Sequence, residues 1–152
     1  MKKQLTILAA SLLLSGIASA DQISDQIRIR QSAYSFIGWN SGRIKAQLDH
    51  PETYNKDQVV AAANAIAAVA NSGLGALYGP GTDKGTGWKP TRLKSAFFEK
   101  QDEAAQIAKD FNKEANELAR VAASGGAAEV KVQFAKLGET CKSCHNDFRE
   151  RE

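Results

Sequence analysis

The hydrophobic pattern of this chain is helical throughout. From about Ser24 to Leu48, the positions Ile27, Arg30, Tyr34, Ile37, Ser41, Ile44 and Leu48 fall at alternating spacings of three and four. That is one stripe of an amphipathic helix, ended by Pro51. A second helix is expected from Asn55, an N-cap candidate with Gln58 three residues on. Val59, Ala63, Ile66 and Ala70 continue its apolar face, and the alanine-rich run 61–70 suits both helix formation and close approach of a neighbour. The spacing predicts a third helix from about Arg92 to Ala123, with Phe97, Ala104, Phe111 and Leu118 repeating every seven residues. Ser124-Gly125-Gly126 breaks it. A fourth helix then carries Val130, Phe134, Leu137, Cys141, Cys144 and Phe148 on one seam. Four amphipathic helices with short first and third connections predict an all-α, antiparallel four-helix bundle.

Between the second and third helices, residues 79–91 are rich in glycine and proline and read as a surface loop. They lack the Gly-Lys-Ser/Thr ending and the preceding strand of a phosphate cradle. Tyr78 and Trp88 are expected mainly to pack, with an edge of the candidate site as their other destination.

The first twenty residues change the picture of charge. Lys2 and Lys3 precede a short apolar run from Leu5 to Gly16, and Ala18-Ser19-Ala20 is a small-residue cleavage site. This predicts a secretory signal peptide cut after Ala20, leaving one domain over residues 21–152. The apolar run is short for a membrane span. Cleavage removes two lysines and no acidic residue, so 20 basic residues become 18 against 17 acidic, and the net charge falls from +3 to +1. The basic pI of the whole chain therefore argues for neither nucleic acid nor an anionic membrane as partner.

The chemistry concentrates in Cys141-Lys142-Ser143-Cys144-His145. Cys-x-x-Cys-His is the attachment pattern of a c-type haem. On a helix the three residues stand at i, i+3 and i+4 and share one face. The thiols suit the two porphyrin vinyl groups, and the histidine suits the iron. The alternatives are weaker. A thioredoxin-like pair would want a βαβ context. A four-ligand zinc site would need both histidines of the chain, and His50 lies far away in sequence. A disulfide between Cys141 and Cys144 would close too small a loop to stabilise much. Haem c also fits an exported, periplasmic protein.

A haem motif at the C-terminal end of a four-helix chain resembles the class II c-type cytochromes, and the cytochrome c′ family in particular. Arg30-Gln31-Ser32-Ala33-Tyr34 looks like that family's first-helix segment, and the Gly79-Pro80-Gly81-Thr82 loop is also similar. The resemblance covers essentially residues 21–152. It implies a five-coordinate iron with His145 as proximal ligand, and binding of nitric oxide and carbon monoxide. It places Tyr34 at the distal position and Arg149 near the proximal histidine. Arg30 and Gln31 become candidate haem-binding residues, with Arg30 expected to pair with a propionate.

Elimination supports an open iron site. The only methionine is Met1, which leaves with the signal peptide. His50 lies about 24 Å along a straight helix from Tyr34. A tyrosine ordinarily stays neutral at pH 7. Two functions follow: nitric oxide capture with electron transfer, or a periplasmic electron carrier in which the open site is incidental. An enzyme is not expected, since no distal histidine offers acid–base chemistry. The redox partner is unspecified. A homodimer through the first and second helices is expected alongside the plain reading of the alanine-rich helix as bundle packing.

Overall fold

The computed structural model describes residues 4–151, with side chains described from residue 20 onward. Five α-helices appear in it: α1 (Gln4–Asp49), α2 (Lys56–Ala70), α3 (Ala96–Glu99), α4 (Gln101–Ser124) and α5 (Ala127–Phe148). Short 3-10 turns occupy Pro51–Thr53 and Leu74–Leu77. The four long helices form the bundle. Their close pairs are α1 with α2, α2 with α4, and α4 with α5; α1 and α5 are not among them. The brief links after α1 and between α4 and α5 make those neighbours antiparallel.

The periodic residues form the core. Ile37, Ile44, Val59, Ile66, Ala115, Leu118, Val130 and Leu137 are buried together, with Phe111 and Phe134 packed against them. Alanine at 62, 63, 67 and 70 is buried too, so the alanine-rich helix mainly serves close packing within the chain. α2 begins as its sequence predicts. The Asn55 side chain accepts a hydrogen bond from the Gln58 amide at 3.0 Å. The reciprocal half of the cap comes from elsewhere, because the Asn55 amide donates to Gln47 Oε1 of α1 at 2.7 Å.

Two boundaries differ from the sequence expectation. α1 begins at Gln4 rather than near Ser24, because the leucine- and alanine-rich run before it is itself helix-forming. Lys2 and Lys3 of the expected signal peptide lie outside the described residues. The expected third helix is also not continuous from Arg92. Residues 92–94 are not helical, α3 is a single turn, and the long helix starts at Gln101. This strap pairs with the chain's end: Lys94 N donates to Phe148 O at 2.9 Å, Glu150 N donates to Arg92 O at 2.8 Å, and Leu93 bridges Arg149. The last residues are thereby held, although they follow the final helix.

Candidate functional site

The site is built at the C-terminal end of α5, on the side toward α1 and the loop after α2. α5 runs to Phe148 and puts Cys141 and Cys144 one turn apart, both half-buried and both free thiols. Burial raises both thiols above their usual range, so each is a neutral S–H. His145 is exposed on the same helical turn. Its imidazole is held below the usual range, first by burial and then by the Arg149 and Arg92 charges. It is therefore neutral at pH 7. Arg149 is the residue at which the chain leaves the helix, yet its Nη1 stands 3.4 Å from His145 Nε2. A guanidinium only donates, so a hydrogen bond there requires the tautomer in which Nε2 presents its lone pair. That is the lone pair a metal would take.

The opposite wall comes from α1. Tyr34 lies within electrostatic reach of both Cys144 and Cys141. Its hydroxyl accepts a hydrogen bond from the Tyr78 hydroxyl at 3.0 Å. Burial, more than any neighbour, raises the Tyr34 phenol above its ordinary value. Tyr78 is driven far higher by the same cause. Both are neutral phenols at physiological pH.

Arg30 is 6% exposed and bonds to the loop. Nη1 donates to Leu77 O and Thr82 Oγ1, both at 3.2 Å, and Nη2 donates to Thr82 O at 2.9 Å and Thr91 Oγ1 at 3.0 Å. The guanidinium also lies 4.5 Å from the Tyr78 ring centroid. Gln31 grips the same loop further along. Its amide donates to Lys89 O at 2.8 Å, and its carbonyl accepts from the Trp88 and Lys89 amides. The two residues expected to contact haem thus have their polar atoms on residues 77–91. Trp88 docks on α1, with its indole N–H on Ser32 Oγ at 2.8 Å.

Sequence reasoning offered Tyr78 an edge of the site only as its second destination, and gave Phe97 no role in the site. Tyr78 stacks on Phe97 at 4.5 Å, and Phe97 meets Phe148 edge-on at 5.5 Å. Phe97 was expected on the seam of a long helix; it belongs instead to the single turn α3 and closes the site beside α5. Thr82, fully buried, receives Arg30. The signal available was the aromatic run Tyr78, Phe97, Phe98 flanking a glycine-rich loop, but no periodicity links those positions.

Two cysteine thiols and a neutral histidine on one face, across from an aromatic wall, fit a covalently attached haem. The fold and site together define a four-helix-bundle c-type haem protein. A sequence profile of the family Cytochrome C′ matches residues 25–149. The chain is 56% identical to a cytochrome c′ of Rhodocyclus tenuis over 84% of its length and 96% of that protein. It is 49% identical to one from Allochromatium vinosum over 98% and 99% of the two chains. Among solved structures, a cytochrome c′ described for ligand-controlled dimer dissociation superposes with TM-score 0.80 at 52% identity, covering 85% of this chain and 97% of that one. The cytochrome c′ of Thermochromatium tepidum also gives TM-score 0.80, at 49% identity over 85% of this chain and 97% of that one. This chain belongs to the cytochrome c′ family. Haem c is the family's cofactor, and the chain has two cysteines for its attachment.

Proposed function

We propose that residues 1–20 are cleaved on export to the periplasm, and that the domain 21–152 binds nitric oxide and carbon monoxide, capturing nitric oxide in conjunction with electron transfer. Cys141 and Cys144 would hold the haem covalently, and His145 Nε2 would be the iron's protein ligand. Haem iron supplies a position for a diatomic gas and a one-electron redox couple. The observation that carries the reading is Tyr34, a neutral phenol bonded to Tyr78 and within electrostatic reach of both thiols. A neutral phenol is a poor iron ligand and a serviceable hydrogen-bond donor. His50 is engaged elsewhere, with Nδ1 3.3 Å from Glu52. Arg149 would tune the His145 side by its charge. The role is binding and electron transfer rather than catalysis.

A homodimer through α1 and α2 accompanies this reading. α1 exposes Ile29, Phe36 and Trp39, large apolar side chains on the helix that also carries Tyr34. The relative described for ligand-controlled dimer dissociation favours a coupling of dimer and ligand here too. Electron carriage alone is the second reading, favoured by the exposure of His145. The test is the optical and EPR spectrum of the purified holoprotein, ferric and ferrous, with and without nitric oxide. High-spin iron that binds the gas is expected. Low-spin iron indifferent to it would overturn the gas-binding role and leave electron carriage.

A further inference from the structure

We infer that Tyr78 is a specificity-determining residue, a latch whose hydroxyl holds Tyr34 in place, so that a diatomic ligand that needs the Tyr34 ring displaced must first break the Tyr78–Tyr34 hydrogen bond. The inference rests on the gas-binding reading and assigns a role to a residue outside the first helix and outside the haem motif.

The geometry is that of a fixed post and a movable arm. Tyr78 follows the 3-10 turn Leu74–Leu77, and its amide is tied back to Gly75 O at 3.2 Å. Its ring is held on two sides. Phe97 stacks on it at 4.5 Å, nearly parallel, and the Arg30 guanidinium lies over it at 4.5 Å. Phe97 in turn meets Phe148, a buried residue of α5, and Arg30 is fastened to Leu77, Thr82 and Thr91. Tyr78 therefore has little freedom to move. Tyr34 is held less firmly. Its residue is 40% exposed, although it stands on the same helical stripe as the buried Ile27 and Ile37. Its hydroxyl meets that of Tyr78. Tyr78 donates and Tyr34 accepts, which leaves the Tyr34 proton available for another acceptor. A ligand that needs the Tyr34 ring displaced would lose this bond, and one that accepts from Tyr34 in place would not.

A net hydrogen bond of ordinary strength corresponds to about a three- to tenfold change in an equilibrium constant. Tyr78→Phe keeps the ring, the stack on Phe97 and the contact with Arg30, and removes only the donor. The holoprotein carrying it should bind carbon monoxide about three- to tenfold more tightly. Tyr34→Phe should gain by a similar factor, and the double variant should gain no more than either single one, because both break the same bond. An independent readout needs no gas. The chain has three tyrosines, Tyr34, Tyr54 and Tyr78. In an alkaline absorbance titration, Tyr34 should ionise at higher pH in Tyr78→Phe than in the parent, because the hydrogen bond that Tyr78 donates stabilises the Tyr34 phenolate. If the parent binds no gas, the functional reading fails and the titration still decides the latch. Unchanged carbon monoxide affinity in Tyr78→Phe, or additive gains in the double variant, would overturn the inference. So would an unchanged Tyr34 titration.

Discussion

Replacing Arg30 by alanine tests whether the buried guanidinium fastens the loop or serves only a bound group. Four hydrogen bonds from a cation would sum to about 6–12 kcal/mol at 1.5–3 each. The sum overstates the loss for two structural reasons. First, most of the acceptors keep another partner. Thr82 Oγ1 still donates to Gly79 O at 2.8 Å, and Thr91 Oγ1 still reaches Thr82 O at 3.2 Å and the Leu93 amide at 3.3 Å. Leu77 O is the acceptor most exposed to loss. Second, the parent bears a desolvation cost that the variant escapes. Burial is the main influence on Arg30, lowering its affinity for its proton, although the group remains charged. The contact with the Tyr78 ring adds about 0.5–2 kcal/mol. A net loss of about 3–4 kcal/mol is expected, in the range seen when a buried polar network loses its charged member.

The assay is urea unfolding of the holoprotein together with amide exchange over residues 79–91. Thr82, Lys84 and Thr91 amides, bonded in the loop to Gly79, Gly81 and Gly85 carbonyls, should lose protection far more than amides of α4. Arg30→Lys should recover little, because an ammonium cannot present two parallel pairs of donors to Thr82 and Thr91. A stability loss below about 1 kcal/mol with unchanged loop protection would refute this reasoning. It would return Arg30 to the propionate role expected from the sequence.

Three further perturbations probe the surrounding structure. Gly87→Ala places a Cβ 2.6 Å from the Arg28 amide nitrogen and 2.8 Å from its Cα, so the loop should lift from α1 at a cost of about 1–3 kcal/mol, read by faster exchange of the Trp88 indole N–H that is bonded to Ser32. Leu118→Ala, at a fully buried position, should destabilise by about 2–5 kcal/mol in the same urea assay, while leaving the haem spectrum unaltered. Gln133 donates to Glu114 Oε2 at 2.6 Å, and this bond is the main reason that carboxyl lies below the usual range. Its folded value is depressed, so its stabilisation is present above the unfolded value near 4.5 and is lost as pH falls through the folded value. In Gln133→Met, carboxyl NMR should show Glu114 titrating at higher pH; an unmoved titration would contradict the assignment.

The bundle was legible because its information is periodic. Leu118, Ala104, Val130 and Leu137 were expected inside and are buried, and Asn55 caps α2 as its chemistry demands. The haem motif was legible because it is local: five consecutive residues carry two thiols and a ligand. The rest of the site has neither property. Tyr78 meets Tyr34 across 44 residues of sequence, and Arg30 meets Thr91 across 61. No spacing rule joins a loop to a helix at such separations. The strap at 92–94 was read as helix because Phe97 happens to sit seven residues before Ala104. The pairing of Leu93 with Arg149 overrides that register.

One local disagreement points to the site more directly than any motif outside Cys141–His145. Arg30 and Tyr34 stand one turn apart on a single apolar stripe of α1. Ordinary partition would bury the ring and expose the charge. Here the arginine is 6% exposed and the tyrosine 40%. The inversion has a cause on each side. The loop from Leu77 to Thr91 folds over Arg30 and supplies four acceptors, so a charge can be buried at that turn. At the level of Tyr34, α1 has moved beyond the loop, and α5 is not among its close partners. A ring on an apolar stripe that its own bundle does not cover is available to something else. Helix packing alone would have closed that gap with a larger side chain or a nearer α5. A breach of local rules of this kind is expected where function, rather than stability, selects the arrangement.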